Sequence, residues 1–493
     1  MLSQVITVLK FPVAFDNTSD LGKRSKDGAA MVSYWDKVEA VEAGIDGMRQ
    51  AGKKFLPGFK NEEKDDYDLR LELTKLTNIF TDICENLASK PFEEPVKISG
   101  GKDVEPPEVF KEFLDNVDGR GNSLTVFSGE LFYNSILNCV NWLLIDYPDT
   151  TGKHIQTKAD QKTAGVRPFW SVVLGRNVLK ARSEITNGEE TLTYVEILEP
   201  GVKDKLRVFQ RDEGGIVEWI VYEKAEKTST DGKEWVETER GNVSIGVIPM
   251  VPFSTGRRKG TTFEYKPAML DAIDLQVELY QQESALKFAK VMAAYPMLAG
   301  NGVTPEKTTD GRVKPISVGP MKVLYAPPNP NGSSGNWGFV EPAATSLTFM
   351  ANDIKETKQD LRELGRQPLT SQSGNLTVIT TAFAAGKAKS AVAAWGMNLG
   401  NVLEIASEIT LLWLNDKTFK PNVEVFTEFD DFTNDETAQQ SLHSMRESGD
   451  LSQETYWDEM QGRGVLSSRF DAEREPERLL LEMPGDGTET EQL

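Results

Sequence analysis

Cysteine is almost absent: Cys84 and Cys139 are the only two in 493 residues, which excludes a disulfide scaffold. The two histidines, His154 and His443, lie far apart, which excludes a histidine-rich metal centre. Long apolar runs are missing as well. The most apolar long stretch, Asn401 to Leu414, is interrupted by Glu404 and Glu408 and is too short and too charged to span a bilayer. Met1 to Lys10 has neither a basic leader nor a small-residue cleavage site, so a secretory signal is not expected. The expectation is an intracellular, soluble chain without a membrane partner. Positive charge is the scarcer sign, with 55 Lys and Arg against 76 Asp and Glu, a net charge of −21. That balance argues against a protein that grips nucleic acid by neutralising phosphates. It leaves open one past which nucleic acid slides. Hydrophobic residues are 39% and charged residues 27%, a globular composition. The length, about three times a common domain, predicts two or more domains.

Residues 33 to 147 read as mostly helical. Glu62 to Lys90 places Tyr67, Leu71, Leu76, Ile79, Phe80, Ile83 and Leu87 at helical spacing, opened by Asn61 and closed before Pro91. A second helix is expected from Ser123 to Leu137, then a buried strand from Cys139 to Asp146. Cys84 and Cys139 read as core thiols. From 167 to 250 the pattern changes to short β-rich runs, Phe169–Leu174, Thr191–Leu198, Leu206–Gln210, Val217–Tyr222 and Val243–Ile248. Turn pairs such as Asn187-Gly188 and Gly214-Gly215 separate them, which predicts an antiparallel meander or small barrel.

The next helix, expected from Phe263 to Ala294, is about 45–50 Å long at ~1.5 Å per residue. It carries two apolar stripes. Met269, Ile273, Val277, Tyr280, Phe288 and Val291 form one; Ala268, Ala272, Leu275, Leu279, Leu286 and Ala289 form the other, nearly opposite. Asp271, Asp274 and Glu278 line one narrow face with no base among them, while Glu283 and Lys287 form an i, i+4 surface pair on the other. A helix apolar on two sides packs between neighbours, and its acidic face resists full burial. Residues 295 to 342 are rich in Pro and Gly, with strand candidates Val313–Val318, Met321–Tyr325 and Trp337–Val340: a small β insertion joining two helices. The second helix, Thr345 to Leu364, is amphipathic through Leu347, Met350, Ile354, Leu361 and Leu364 and stops at Gly365. An almost uncharged loop follows, Gly365 to Ile379, then an Ala-rich helix from Thr381 to Leu414. Residues 433 to 493 hold 15 acids against 5 bases and read as helical, with a disordered end.

Catalytic motifs are not found. Ala385-Gly386-Lys387 is followed by Ala388, not Ser or Thr, so it is no phosphate loop. Asp271, Asp274 and Glu278 share a face that a divalent cation could use, but a solvated acidic face is the simpler reading. Residues 440 to 465 resemble a helix-turn-helix in outline, yet Glu454, Asp458 and Glu459 would face the DNA. No enzyme, cofactor or metal is expected.

Several stretches, in order, resemble the portal, or head-to-tail connector, proteins of tailed bacteriophages. They are Tyr34-Trp35; Gly47 to Gly52; Phe55-Leu56-Pro57; Tyr67 and Arg70; Asn78 and Phe80; and Arg167-Pro168-Phe169-Trp170. Further on come Gly319-Pro320, Tyr325, Trp337 to Pro342 and Gly449 to Thr455. The resemblance implies an α+β portal-type fold assembled as a ring, typically twelvefold, with a central channel. It divides the chain into a wing (1–260), a first stem helix (261–294), a clip (295–342) and a second stem helix (343–365). A channel loop with a long spine helix (366–432) and a crown with an acidic tail (433–493) complete it. It further implies a virion protein at one capsid vertex, made in the host bacterial cytoplasm. It would serve DNA packaging and genome ejection, with double-stranded DNA in the channel. Its other partners would be the major capsid protein, the terminase packaging motor and a neck or tail adaptor.

On that layout Asp271, Asp274 and Glu278 face the channel. Arg366, Gln367, Leu369, Thr370, Ser371, Gln372, Ser373 and Asn375 form the channel loop, and Asn329, Asn331, Trp337 and Phe339 are clip contacts for partners. Trp337 and Phe339 could equally pack inside the insertion. Twelve copies would carry roughly −250 charges, a field that repels phosphates. The alternative is another ring-forming viral tail or neck structural protein; a nuclease with a carboxylate metal site is the rival from the enzyme class.

Overall fold

Ser25 opens the helix Lys26–Glu42, its hydroxyl accepting from Gly28 N at 3.2 Å. The structure, a computed structural model, describes residues 20–101, 104–148, 165–186, 188–212, 214–225, 234–294, 297–303, 307, 309, 311–312, 335–340, 344–365, 378–427 and 436–462. Beyond those it describes 465, 466, 470, 474, 475 and 478. It divides into two units, 1–427 and 428–493.

The first unit begins with a helical layer: α1 (Lys26–Glu42), α2 (Gly44–Ala51), α3 (Lys64–Glu72), α4 (Ile79–Ser89), α5 (Glu108–Leu114) and α6 (Leu124–Asn138). The continuous helix expected over 62–90 is two helices. Asn78 takes an extended conformation and its side chain accepts from Thr81 N, which starts α4 afresh. Asn61, expected to open the helix, lies before it with φ 62°. Two strands follow the layer's plan closely. β1 (Lys97–Ser99) pairs far along the chain, and β2 (Val140–Asp146) is the central strand of a three-stranded antiparallel sheet with β3 (Phe169–Leu174). Its third strand is β9 (Met250–Ser254).

Trp170 of β3 holds this region together. Its ring meets Phe113 and Phe127 edge-on, and its indole N–H donates to Thr410 Oγ1 at 2.8 Å. Cys84 and Cys139 are buried free thiols; burial pushes Cys139 up to about 12 and Cys84 higher still, so both stay protonated and inert.

Between β3 and β9 lies an open five-stranded antiparallel meander, not a barrel. It comprises β4 (Val178–Thr186), β5 (Glu189–Glu199), β6 (Lys205–Arg211), β7 (Val217–Lys224) and β8 (Trp235–Val243) in sequence order. Val243–Ile248 is not a strand: β8 ends at Val243, and Gly246, with φ 73°, turns the chain as its N–H returns to Val243 O. One face of the meander wraps the chain around residue 22. Glu196, fully buried, accepts from Gly22 N at 2.7 Å, from Lys180 Nζ at 2.9 Å and from Tyr194 Oη at 3.0 Å.

A two-stranded ribbon, β10 (Arg257–Arg258) with β11 (Tyr265–Lys266), precedes the long helix α7 (Leu270–Ala294). α7 begins seven residues later than the apolar pattern predicts (Leu270 against Phe263). Phe263 spends its apolar surface against the Trp142 ring at 5.3 Å, under Arg258, and is not on the helix. Then come β12 (Met297–Asn301), β13 (Asn336–Val340), α8 (Ala344–Leu364), α9 (Val378–Trp413) and β14 (Asn422–Glu424), which pairs with β1. The second unit contains α10 (Glu436–Glu447) and α11 (Gln453–Gly462). Among the described residues no helix is long and apolar enough to cross a membrane.

Candidate functional site: a helical hairpin and its seat

α7 and α8 form an antiparallel hairpin, with β12 and β13 paired between them from Met297↔Val340 to Asn301↔Asn336. At 25 residues α7 is ~37 Å long. Burial divides along the helix rather than by stripe: Ala272, Ile273, Val277, Leu279 and Tyr280, from both stripes, are buried in its first half, with Leu275 half-buried there, while Leu286, Phe288 and Val291 further on are half-buried.

What seats the hairpin on the helical layer is polar. Gln276 is fully buried. Its Oε1 accepts from Ile79 N at 2.9 Å and Phe80 N at 3.0 Å, two of the donors that the first turn of α4 cannot satisfy itself. Its Nε2 donates to Thr77 O at 3.0 Å. Two turns further, Glu283 accepts from Thr77 N at 3.0 Å and Thr77 Oγ1 at 2.7 Å. Lys358 Nζ of α8 lies 2.8 Å from the same carboxylate. Glu283 is therefore not the surface partner of Lys287 that the spacing suggests: it is buried and bound to Lys358, and its negative charge sits near the positive end of α4. Gln281 Nε2 adds a bond to Phe55 O at 2.8 Å, and Gln282 Nε2 one to Asp353 Oδ2 at 3.1 Å.

The break between α3 and α4 now has its cause. Thr77 gives its N–H and its carbonyl to side chains of α7, so neither is available to continue a helix.

Asp271, Asp274 and Glu278 are all exposed on one side of α7. They are not free of bases, however. Lys37 Nζ of α1 reaches Asp274 Oδ1 at 2.5 Å, while Asp271 and Glu278 have no basic partner among the described residues and Glu278 accepts from Gln282 Nε2 at 3.4 Å. An ammonium on Asp274 also takes one oxygen donor from any cation that the line would hold. Trp337 of β13 is half-buried, its ring over Gly300 so closely that a Cβ there would come within 2.9 Å of it; Phe339 is paired in register with Leu298. Asn329, Asn331 and the loop residues Arg366, Gln367, Leu369, Thr370, Ser371, Gln372, Ser373 and Asn375 lie outside the described residues, as do Val313–Val318 and Met321–Tyr325.

Several of the N-terminal stretches that carry the portal resemblance hold together the helical layer on which the hairpin sits. Tyr34 Oη and Trp35 Nε1 donate to Leu137 O and Asn138 O, closing the end of α6. Arg49 donates to Glu72 O and Thr74 O, holding the chain just before the break. Tyr67 Oη donates to Leu56 O, and Arg70 pairs with Glu62. Asn78 caps α4 and Phe80 is fully buried.

A family model described as a domain of unknown function, DUF4055, matches residues 268–414. The matched stretch runs from just before α7 to just after α9, under a third of the chain. No curated protein matches. Two solved structures are similar in outline. The neck of an empty GTA particle computed with C6 symmetry shares 12% identity, covering 82% of this chain and 89% of that one, at TM-score 0.39. The neck of a native GTA particle computed with C12 symmetry shares 11%, covering 88% and 98%, at TM-score 0.34. At these identities and scores the likeness carries no inference about this chain.

Proposed function

We propose that the chain is the subunit of a portal-type head-to-tail connector: a ring, twelvefold in the virion, at one capsid vertex. Its channel passes double-stranded DNA during packaging and ejection, and the ring meets the capsid protein, the terminase motor and a neck or tail adaptor. The role is structural, without catalysis. The observation that carries this reading is the hairpin itself. A long helix lies buried on both flanks along its seated half, yet exposes Asp271 and Glu278 in a line. Such a helix suits a wall with one face on an aqueous lumen. The layout of two stem helices around a β strap, followed by a 36-residue helix, matches the order that the sequence resemblance implies. On this reading the segment 366–377 between α8 and α9 is the channel loop.

The test is the particle formed by the purified full-length protein in reducing buffer with chelator. Closed rings with an axial hole and a narrow stem by negative-stain microscopy, with a mass of about a dozen subunits, are the expected outcome. Monomers over a wide concentration range would overturn it. Rings that bind tails but never accept DNA in a packaging reaction would favour a neck or tail ring instead.

A further inference from the structure

Gly365 of α8 meets α4 through Ile83, and Glu85 and Ala88 lie on the other side of that helix, toward α6. There Val126, Gly129 and Tyr133 form a facing stripe at helical spacing. Between the two stripes, with Phe92 beside Gly129, is an open cleft of about 520 Å³. Val126 on its rim is 57% exposed. One end of the cleft is acidic. Burial pushes the Tyr133 hydroxyl up to about 12, and the carboxylates of Glu42, the last residue of α1, and Glu85 add to the rise. The cleft is therefore apolar along its length and negative at the end nearest α1.

The chain that leads into α1 is clamped to the meander. Asp20 O accepts from Lys180 Nζ at 2.5 Å, Gly22 N donates to Glu196, and Ser25 N donates to Leu179 O at 2.8 Å. From that clamp α1, 17 residues or ~26 Å long, runs to Glu42 at the mouth of the cleft. The residues before Asp20 are rich in apolar side chains: ten of the first fifteen, against 39% for the whole chain, with Lys10 as their single charge. Nineteen extended residues span up to ~63 Å, and the ten from Lys10 to Asp20 up to ~33 Å, enough to follow α1 back to the cleft.

We infer that the cleft between α4 and α6 holds the chain's own N-terminal arm, with residues 5–9 in the slot and Lys10 at its acidic mouth. Extended, Val5 and Leu9 point to one side and Ile6 and Val8 to the other, which suits a slot walled by two helices. Lys10 then meets Glu42 and Glu85. A tethered arm also reaches its cleft at a high effective concentration, which a separate partner lacks. Seated there, it braces the helical layer on the side away from the hairpin.

The experiment is hydrogen exchange on the full-length protein, with melting temperature and particle mass read for every sample. Amides of residues 5–9 should be protected in the wild type. Val126→Asp, at an exposed position, should speed their exchange by about tenfold or more while Phe80 keeps its protection. Gly129→Leu should do the same by filling the cleft, since a Cβ there meets the Phe92 ring only at 3.8 Å. Lys10→Glu should loosen the arm, and Glu85→Lys in that background should restore much of its protection. A short bismaleimide should join Thr7→Cys to Ser89→Cys within one chain, the native thiols being buried. Arm amides that exchange freely in the wild type, or that stay protected in both cleft variants, would overturn the inference. So would cross-links between two chains, or protection lost on dilution to monomer, since the arm then belongs to a second copy. Where a cleft variant melts early the charge pair decides, and no rescue by Glu85→Lys overturns the inference as well. The ring is not required: intact rings with a freely exchanging arm refute the arm's seat alone, and monomers with a protected arm refute the ring alone.

Discussion

Arg70 is a charge with almost no solvent, 2% exposed, and the groups around it explain how that is tolerated. Its guanidinium takes both oxygens of Glu62, at 2.7 and 2.8 Å, and donates to Pro57 O at 2.9 Å. The Phe59 and Tyr67 rings lie under it, at 4.2 and 5.3 Å. Removing one member of a buried pair strands the other, so Glu62→Gln or Arg70→Ala should each cost about 3–5 kcal/mol of stability, read by denaturant unfolding. The hydrogen bonds from Arg70 hold the Glu62 carboxyl below the usual carboxylate range. Its contribution is therefore complete above the ordinary unfolded carboxylate value and is lost as pH falls through the lowered folded value. Wild type should lose this increment of stability on acidification, and the Gln variant should show a correspondingly flatter profile over that window. Gly365 offers a second residue-level check. A Cβ there would meet Ile83 Cδ1 at 2.4 Å and Leu361 O at 3.0 Å, so Gly365→Ala should overpack the contact between α8 and α4 by about 1–3 kcal/mol.

At the scale of elements, the seat of the hairpin makes a sharper prediction. Glu283→Ala leaves Lys358 and the Thr77 N–H without their buried acceptor, and should cost about 3–5 kcal/mol. Lys358→Met in the Glu283→Ala background should cost less than the sum of the singles, because each removes the same pair. Hydrogen exchange at Thr77, Ile79 and Phe80 should rise in Glu283→Ala and further in Gln276→Ala; unchanged protection there would mean that α7 does not hold the start of α4.

The same residues mark the limit of reading this chain from its sequence. Strands such as Phe169–Leu174 were legible to the residue, because local alternation and turns decide them. The break at Thr77 was not. It is imposed by Gln276 and Glu283, about two hundred positions away, and no local window contains them. Likewise the exposure of Asp271, Asp274 and Glu278 followed from helical phase, whereas the Lys37 partner of Asp274 comes from a different helix. The late start of α7 was hidden because Phe263 fits a helical stripe and a contact with Trp142 equally well.

For the whole molecule the decisive quantity is where the charge sits. If α7 lines a channel, Asp271 and Glu278 are the carboxylates that passing phosphates meet, and lysines in their places should seize those phosphates. Asp274 is better spared: a lysine there would face Lys37 and disturb the seat, confusing a channel effect with a folding one. Asp271→Lys with Glu278→Lys should therefore keep ring mass and melting temperature close to wild type, since both positions are exposed. Packaging should slow or stall. The defect should ease as salt rises, because each phosphate contact weakens with a log–log slope of about −0.9. A control that reverses equally exposed acids elsewhere, Glu184 and Glu239 in the meander, should leave packaging unchanged. Particles of the α7 variant that fill with a normal length of DNA at low salt would place this face away from the channel, whatever the ring looks like.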